Sequence, residues 1–369
     1  MEDTSPQEAA VLAAIRDNPF VGQQEIASLL GLARSTVAAH IVQLMQKGHI
    51  LGRGYLLPAP ARAVCLGGAV LDRKYRARQK LVPETSNPVD GIRSLGGVAR
   101  NVAENLARLG TATTFVSIVG DDEAGRTLLS FMRERGIDVS QVLVSAERPT
   151  AEYAAVLDPA GDLVMGLADM SIFDLLLPDH IDRIWPHLAS AGWVFSDCNP
   201  PAETLAALIS KARTAQFRLA IDAVSTAKAA RLPKDLTGID LLLMNLDEAN
   251  AILDRRTGRT MADAKDAALG LQQAGAREAI VTMGAEGIVV AGTDGARVFP
   301  AVAAMSVDMT GAGDAMIAGT LHRLMAGDDL YAAARVGALI GALTTESPAS
   351  VHPELSQTFL DANLHRILA

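Results

Sequence analysis

From residue 63 onward, short apolar runs alternate with amphipathic segments. Ala63 to Gly68, Thr113 to Val119, Trp193 to Asp197, Leu219 to Asp222, Leu241 to Asn245 and Ala279 to Met283 are each about as long as a buried strand. Helical patterns occupy 98–109, 124–136, 201–215, 247–253, 262–274 and 312–326 between and after them. The alternation predicts an α/β fold whose parallel sheet is covered by helices on both faces. Two further runs, 151–157 and 163–167, break it. They flank the turn sequence Asp158-Pro159-Ala160-Gly161-Asp162 and predict a hairpin, part of a small β lid over one end of the sheet.

Residues 1–57 follow another pattern. Glu8 to Asp17, Gln23 to Leu30 and Arg34 to Lys47 read as three short helices, separated by Asn18-Pro19 and by Gly31. In the third, Val37, Ile41, Leu44 and Met45 form one apolar face. His49 to Leu57 reads as a small hairpin. This arrangement resembles the winged helix-turn-helix modules of bacterial regulators, which would place Arg34, Ser35, Thr36 and Arg53 against DNA. A plain three-helix bundle used for association would give the same pattern. Four basic residues stand against five acids in residues 1–60, so one copy has little electrostatic hold on phosphates and a homodimer is expected to be the DNA-binding form. The proline-rich stretch 58–62 reads as a linker, and 63–369 as the second domain.

Composition narrows the picture. Apolar residues make up 49% of the chain and aromatics only 4%, which suits helices packed on a sheet better than an aromatic-rich sandwich. A net charge of −9 means that phosphates are held by local donors and metal ions rather than by the overall field. Cys65 and Cys198 lie in strand-like runs and read as small buried apolar residues. No run is long enough to span a bilayer, and a cytoplasmic protein without membrane partners is expected.

Ligands of open α/β sheets bind beyond the carboxyl ends of the strands, so glycines and polar residues just after each strand are the candidates. Thr310-Gly311-Ala312-Gly313-Asp314 opens the helix 312–326. Small residues and a helix start make an anion cradle, and a carboxylate inside it suits a general base for a hydroxyl nucleophile; an ordinary first-turn aspartate is the alternative. Gly96-Gly97 opens the helix 98–109, with Asn101 one turn in and able to meet a polyol. Asp72 can accept from two sugar hydroxyls, or be a turn aspartate. The cations that follow it, Arg73, Lys74, Arg76, Arg78 and Lys80, read as a solvated loop. Asn245 and Glu248 share a face and either orient a hydrated Mg2+ or cap a helix. Gly284 and Gly287, after Thr282, either make room for a nucleotide or mark a strand exit.

Taken in order, Gly-Gly-x-x-x-Asn, Asn-x-x-Glu, Thr-x-Gly-x-x-Gly and Asp-x-Thr-Gly-Ala-Gly-Asp resemble the ribokinase-like (PfkB) carbohydrate kinases over about five-sixths of the chain. The resemblance implies an αβα sandwich with a β lid and an ATP- and Mg2+-dependent kinase. It makes Asp314 the base and the backbone of Gly311, Ala312 and Gly313 an anion hole. Asp72, Gly96, Gly97 and Asn101 would meet the acceptor, Asn245 and Glu248 would lie near Mg2+, and Asn245, Thr282, Gly284, Gly287 and Thr310 would lie by the nucleotide. It further suggests a monovalent cation, such as K+, near Asp308 and Thr310. Thr85-Ser86-Asn87-Pro88, Gly96 to Gly110 and Asp197-Cys198-Asn199-Pro200 resemble bacterial pseudouridine kinases, some of which carry an N-terminal helix-turn-helix; Asn199 would then touch the ligand. The expected reaction is phosphorylation of the pseudouridine 5′-hydroxyl. A ribokinase- or fructokinase-type enzyme and a ligand-sensing regulator on a kinase fold are the alternatives.

Overall fold

The computed structural model describes residues 3–52 and 62–368. Arg53 to Leu57 of the expected wing and nearly all of the expected linker lie outside the described residues, and with them the boundary between the two expected domains.

The helices Pro6–Asp17, Gln23–Leu30 and Arg34–Gln46 form the N-terminal module. Ser5 and Glu8 close a reciprocal capping box at the start of the first, and Gly31 ends the second in the left-handed conformation. The second and third helices meet at 109°, within the range of a helix-turn-helix. Val11, Ile15, Ile26, Val37, Leu44 and Ile50 are fully enclosed and give the module its own core.

The strands are β1 (Ala63–Leu66), β2 (Val70–Ala77), β3 (Val89–Gly96), β4 (Thr113–Val116), β5 (Ile118–Gly120), β6 (Leu143–Ser145) and β7 (Glu152–Leu157). They continue with β8 (Leu163–Asp169), β9 (Trp193–Asp197), β10 (Arg218–Asp222), β11 (Leu241–Asn245), β12 (Glu278–Thr282), β13 (Ile288–Gly292) and β14 (Gly295–Phe299). The main sheet has the order β14-β13-β12-β11-β10-β9-β1-β4. It is parallel from β12 to β4, and β13 and β14 add an antiparallel edge. Successive side chains of a strand face opposite layers. Val64, Leu66, Val194, Leu219 and Leu242 therefore pack under the helices Ala202–Ala212 and Met261–Gln273. Cys65, Phe195, Ala220 and Leu243 pack under Val98–Arg108, Glu123–Glu134, Ala312–Met325 and Leu330–Thr345. Both cysteines are buried and unpaired.

The lid is a separate sheet of order β3-β2-β7-β8. The expected hairpin is its β7–β8 half. Its other half corrects the sequence reading: Arg73, Lys74 and Arg76, expected in a solvated loop, belong to β2, which pairs with β3 and β7. Charge density had suggested solvent, but a two-faced lid strand accommodates long cationic side chains because their heads stay at its margins. The strands β3, β13 and β14 and the helix Leu330–Thr345 were not anticipated either. Among the described residues no single helix is long and apolar enough to cross a membrane.

The N-terminal module touches the second domain through the helix Trp185–Ala189. Trp185 Nε1 donates to the Gln46 carbonyl at 3.1 Å. Gly48 has a φ of +75°, and a Cβ there would overlap the Ala189 carbonyl and the Ser190 nitrogen. Gly48→Ala is therefore expected to loosen the docking. Limited proteolysis between residues 50 and 62 should accelerate while the second domain keeps its Tm; unchanged proteolysis would show that the contact is not formed in solution.

Candidate active site

The site begins with glycines that bring three backbone segments onto one carboxylate. Asp197, at the end of β9 and fully buried, accepts from Gly68 N (2.8 Å), Ala99 N (3.0 Å), Asn199 N (2.9 Å) and Asn199 Nδ2 (2.9 Å). A Cβ at Gly67 would overlap that carboxylate, and one at Gly68 the Asn199 amide. The turn after β1, the start of the helix Val98–Arg108 and the segment after β9 are thereby locked together.

Two glycine-led helix starts then face each other. Val98–Arg108 packs beside Ala312–Met325, and Asn101 Nδ2 donates to Asp314 Oδ2 at 2.6 Å. Gly97 has a φ of +100° and Gly311 of +82°, and a Cβ at Gly311 would run into the Ser350 carbonyl. These close approaches require glycine. The first-turn N–H groups at Gly311, Ala312 and Gly313 lie in a position to meet an anion; Ala312 N makes only a long 3.3 Å bond to Met309 O.

Burial pushes the Asp314 carboxyl up to about 7; Asp197 and Asp72 push the same way, while the Asn101 bond and the Arg100 charge pull it down. Asp314 is nonetheless half-buried rather than fully enclosed. Asp72 on β2 is pushed up to about 6 by burial, against the pull of Arg100 and Lys74. A Cβ on Gly96 would overlap the Asp72 carboxylate. A cavity of about 820 Å³, the size of a small-molecule site, is bordered by Asp72, Lys74, Arg100, Thr310 and Ser350 on one side and by Glu104 and Phe131 on another; Asp314 and Asn101 are not among its lining residues.

Asp308 and Thr310 bond each other: Thr310 N and Oγ1 donate to Asp308 Oδ1 at 2.8 and 2.6 Å. Lys74 of the lid donates to the other Asp308 oxygen at 3.1 Å, tying lid to core. Burial would raise the Asp308 carboxyl, but these bonds hold it below the usual range.

Asn245 and Glu248 form a reciprocal capping box (Glu248 N to Asn245 Oδ1, 2.9 Å; Asn245 N to Glu248 Oε2, 3.0 Å), so the helix-capping alternative is realised. Glu248 is also buried and raised by that burial. Oxygen donors of this kind fit a hydrated Mg2+. Asn245 pairs with Thr282 across β11–β12, which aligns the expected metal and nucleotide residues along one sheet edge. Gly284 (φ +57°) has open space around it, whereas Gly287 (φ +114°) is packed against the Phe299 carbonyl. Asn199 is buried, with its amide held by Asp197 and by Lys228.

Asp222, Lys228, Arg231 and Arg100 were missed in the sequence. Asp222 closes β10, so the strand-end rule that found Asn245 applied to it as well. Its carboxyl is raised well above the ordinary range by burial, then by Glu248 and Asp314. It accepts from Val224 N at 2.7 Å, where Val224 sits at a φ of +65°. The turn that follows carries Lys228 to Asn199 and Arg231 to the Asn199 and Pro200 carbonyls.

Comparison with known proteins bears on the family and the fold. Residues 61–357 match the pfkB family carbohydrate kinase, and residues 7–50 match a winged helix-turn-helix DNA-binding family. The uncharacterized sugar kinase YeiI of Escherichia coli is 32% identical over 95% of this chain and 96% of its own. The pseudouridine kinase of the same organism is 30% identical over 69% of this chain and 81% of its own. A carbohydrate kinase from Agrobacterium tumefaciens has the same fold, with a TM-score of 0.73, 30% identity, and coverage of 83% of this chain and 97% of its own. The fold is that of an ATP-dependent sugar or nucleoside kinase of the PfkB type, preceded by a winged helix-turn-helix. The chain belongs to the pfkB carbohydrate kinase family.

The raised Asp314 carboxyl has a consequence for stability. Its pKa is higher in the folded than in the unfolded chain, so the folded state binds the extra proton between about pH 4 and pH 7 and stability falls as pH rises through that window. Asp314→Asn should remove this fall, seen as a flatter dependence of Tm on pH; an unchanged slope would show that Asp314 titrates normally.

Proposed function

We propose that this kinase transfers the γ-phosphoryl group of ATP to the 5′-hydroxyl of pseudouridine, with Asp314 as general base. One observation carries the chemistry: a carboxylate with its pKa raised to about 7 stands inside a glycine-rich helix start, where a hydroxyl proton must be removed as phosphate arrives. The nucleoside assignment draws support from the relative named a pseudouridine kinase and from the motifs around Asn87, Asn101 and Asn199.

In this reading Asp72, Gly96, Gly97 and Asn101 hold the acceptor's hydroxyls. Asn199 shapes that wall from behind, since its amide is already bonded on both sides. Asp314 takes the proton while the backbone at Gly311, Ala312 and Gly313 steadies the transferring group. ATP supplies the phosphoryl group and Mg2+ offsets its charge when bound. Asn245 and Glu248 are the metal's water-mediated holders; Thr282, Gly284, Gly287 and Thr310 border the nucleotide. A monovalent cation at Asp308 and Thr310 would have to replace the Lys74 ammonium there. The Lys74–Asp308 pair also closes the lid over the site, which excludes water as a competing acceptor.

The N-terminal module supports a second role. Arg34 and Ser35 are exposed and Thr36 half-buried at the start of its third helix, the placement of a DNA-reading surface. Binding by a homodimer follows from the module's low positive charge. Operator binding indifferent to ATP and pseudouridine would separate that role from catalysis.

Asp314→Asn should keep its fold yet lose at least about two orders of magnitude in turnover. A panel of pseudouridine, uridine, ribose and fructose with ATP should show the highest kcat/KM for pseudouridine. Preference for ribose or fructose would overturn the nucleoside assignment and leave the kinase chemistry standing.

A further inference from the structure

Arg100 is 2% exposed and stands next to Asn101 in the helix Val98–Arg108. Its guanidinium donates to the Leu95 carbonyl at 2.7 Å, to Glu104, to the Asn101 Oδ1 and, at 3.5 Å, to Ser350 Oγ. The simplest account would make it the partner of the buried Glu104. Glu104, however, already holds Arg108 and Arg135, each at 2.9 Å. Both bond Oε1, so the charge is already neutralised and Arg100 adds only the bond to Oε2.

The bond to Asn101 explains the third guanidinium. A guanidinium has donors only, so the Asn101 atom facing it must be the oxygen. The amide nitrogen is then turned toward Asp314, where it lies at 2.6 Å. Without Arg100 nothing among the described contacts prevents the amide from reversing and setting oxygen against carboxylate. Arg100 is also the cation facing Asp314; the other charged groups around that carboxylate are Asp72, Asp197 and Asp222, all acidic.

We infer that Arg100 is a positioning residue for the general base, orienting the Asn101 amide toward Asp314 and supplying the buried positive charge beside it. This rests on the reading of Asp314 as the base. Arg100 also ties the base to the lid through Leu95 on β3 and to the loop at Ser350, so the base is fully oriented only while these segments are in place.

The full-length chain tests this with Arg100→Met and Arg100→Lys, using MgATP and pseudouridine from about pH 5 to about pH 9. Arg100→Met leaves Glu104 with two cationic partners on Oε1 and removes the bond to Oε2, so a folded chain with a lowered Tm is expected. Its kcat should fall about tenfold or more and the acid limb of its pH profile should move up by about one unit, since loss of one nearby charge acts on that scale. Arg100→Lys keeps the charge without the fork and should return the limb toward its original place while leaving much of the kcat deficit. A merely structural arginine would lower kcat and Tm together with the limb unmoved, and that result overturns the inference.

A second measurement needs no acceptor. The Tm difference between each background and its Asp314→Asn counterpart should level off at higher pH in Arg100→Met than in the parent chain. Levelling at the same pH overturns the inference even if pseudouridine is not phosphorylated. Near-normal turnover in Asp314→Asn alone would instead remove the base, and the proposed chemistry with it.

Discussion

Asp197 accepts four N–H bonds in a fully enclosed position, and each donor comes from a segment that the site needs. Gly68 belongs to the turn leaving β1, Ala99 to the first turn of the helix that carries Arg100 and Asn101, and Asn199 to the exit from β9. Leaving one such buried group unsatisfied costs about 1–3 kcal/mol, so a carboxylate that meets four of them sets where these segments can lie. The glycines at 67 and 68 follow from that, because any side chain there would collide with Asp197 or Asn199. Asn101 then reaches Asp314 because the helix start is fixed at Ala99.

The charge arrangement has the same logic. Asp314, Asp72, Asp197 and Asp222 crowd one end of the sheet, with Arg100 the fully buried cation among them and Lys228 near Asn199. Burial, with the neighbouring carboxylates acting in the same direction, raises the affinity of Asp314 for a proton into the range where it can both take and release one near neutral pH. The lid contributes a further charge, Lys74, which pairs with Asp308 from the opposite side.

Much of the framework was legible in the chain. The strands Trp193–Asp197 and Leu241–Asn245 and the helix Gln23–Leu30 have the bounds expected from their apolar runs, because a strand buried on both faces leaves a continuous apolar signature. The glycine-led starts at Gly96-Gly97 and Gly311–Gly313 were visible for a related reason: close backbone approach demands glycine. The lid strand β2 was not visible, since a half-exposed, cation-rich strand owes its form to pairing with β3 and β7 rather than to its own pattern. Arg100 was passed over because a lone arginine in a helix looks like solvent-facing charge until its surroundings are known.

The sequence by itself determined the layered α/β framework, the helical N-terminal module and the carboxylate in its glycine cradle, because periodicity and small-residue spacing are local properties of the chain. Tertiary structure alone decided that Asn101 meets Asp314, that the Arg100 guanidinium faces the Asn101 oxygen and that Lys74 meets Asp308. Those contacts join residues from separate elements, or depend on which atom of a side chain faces which neighbour, and neither distance nor orientation in space is written in the order of residues.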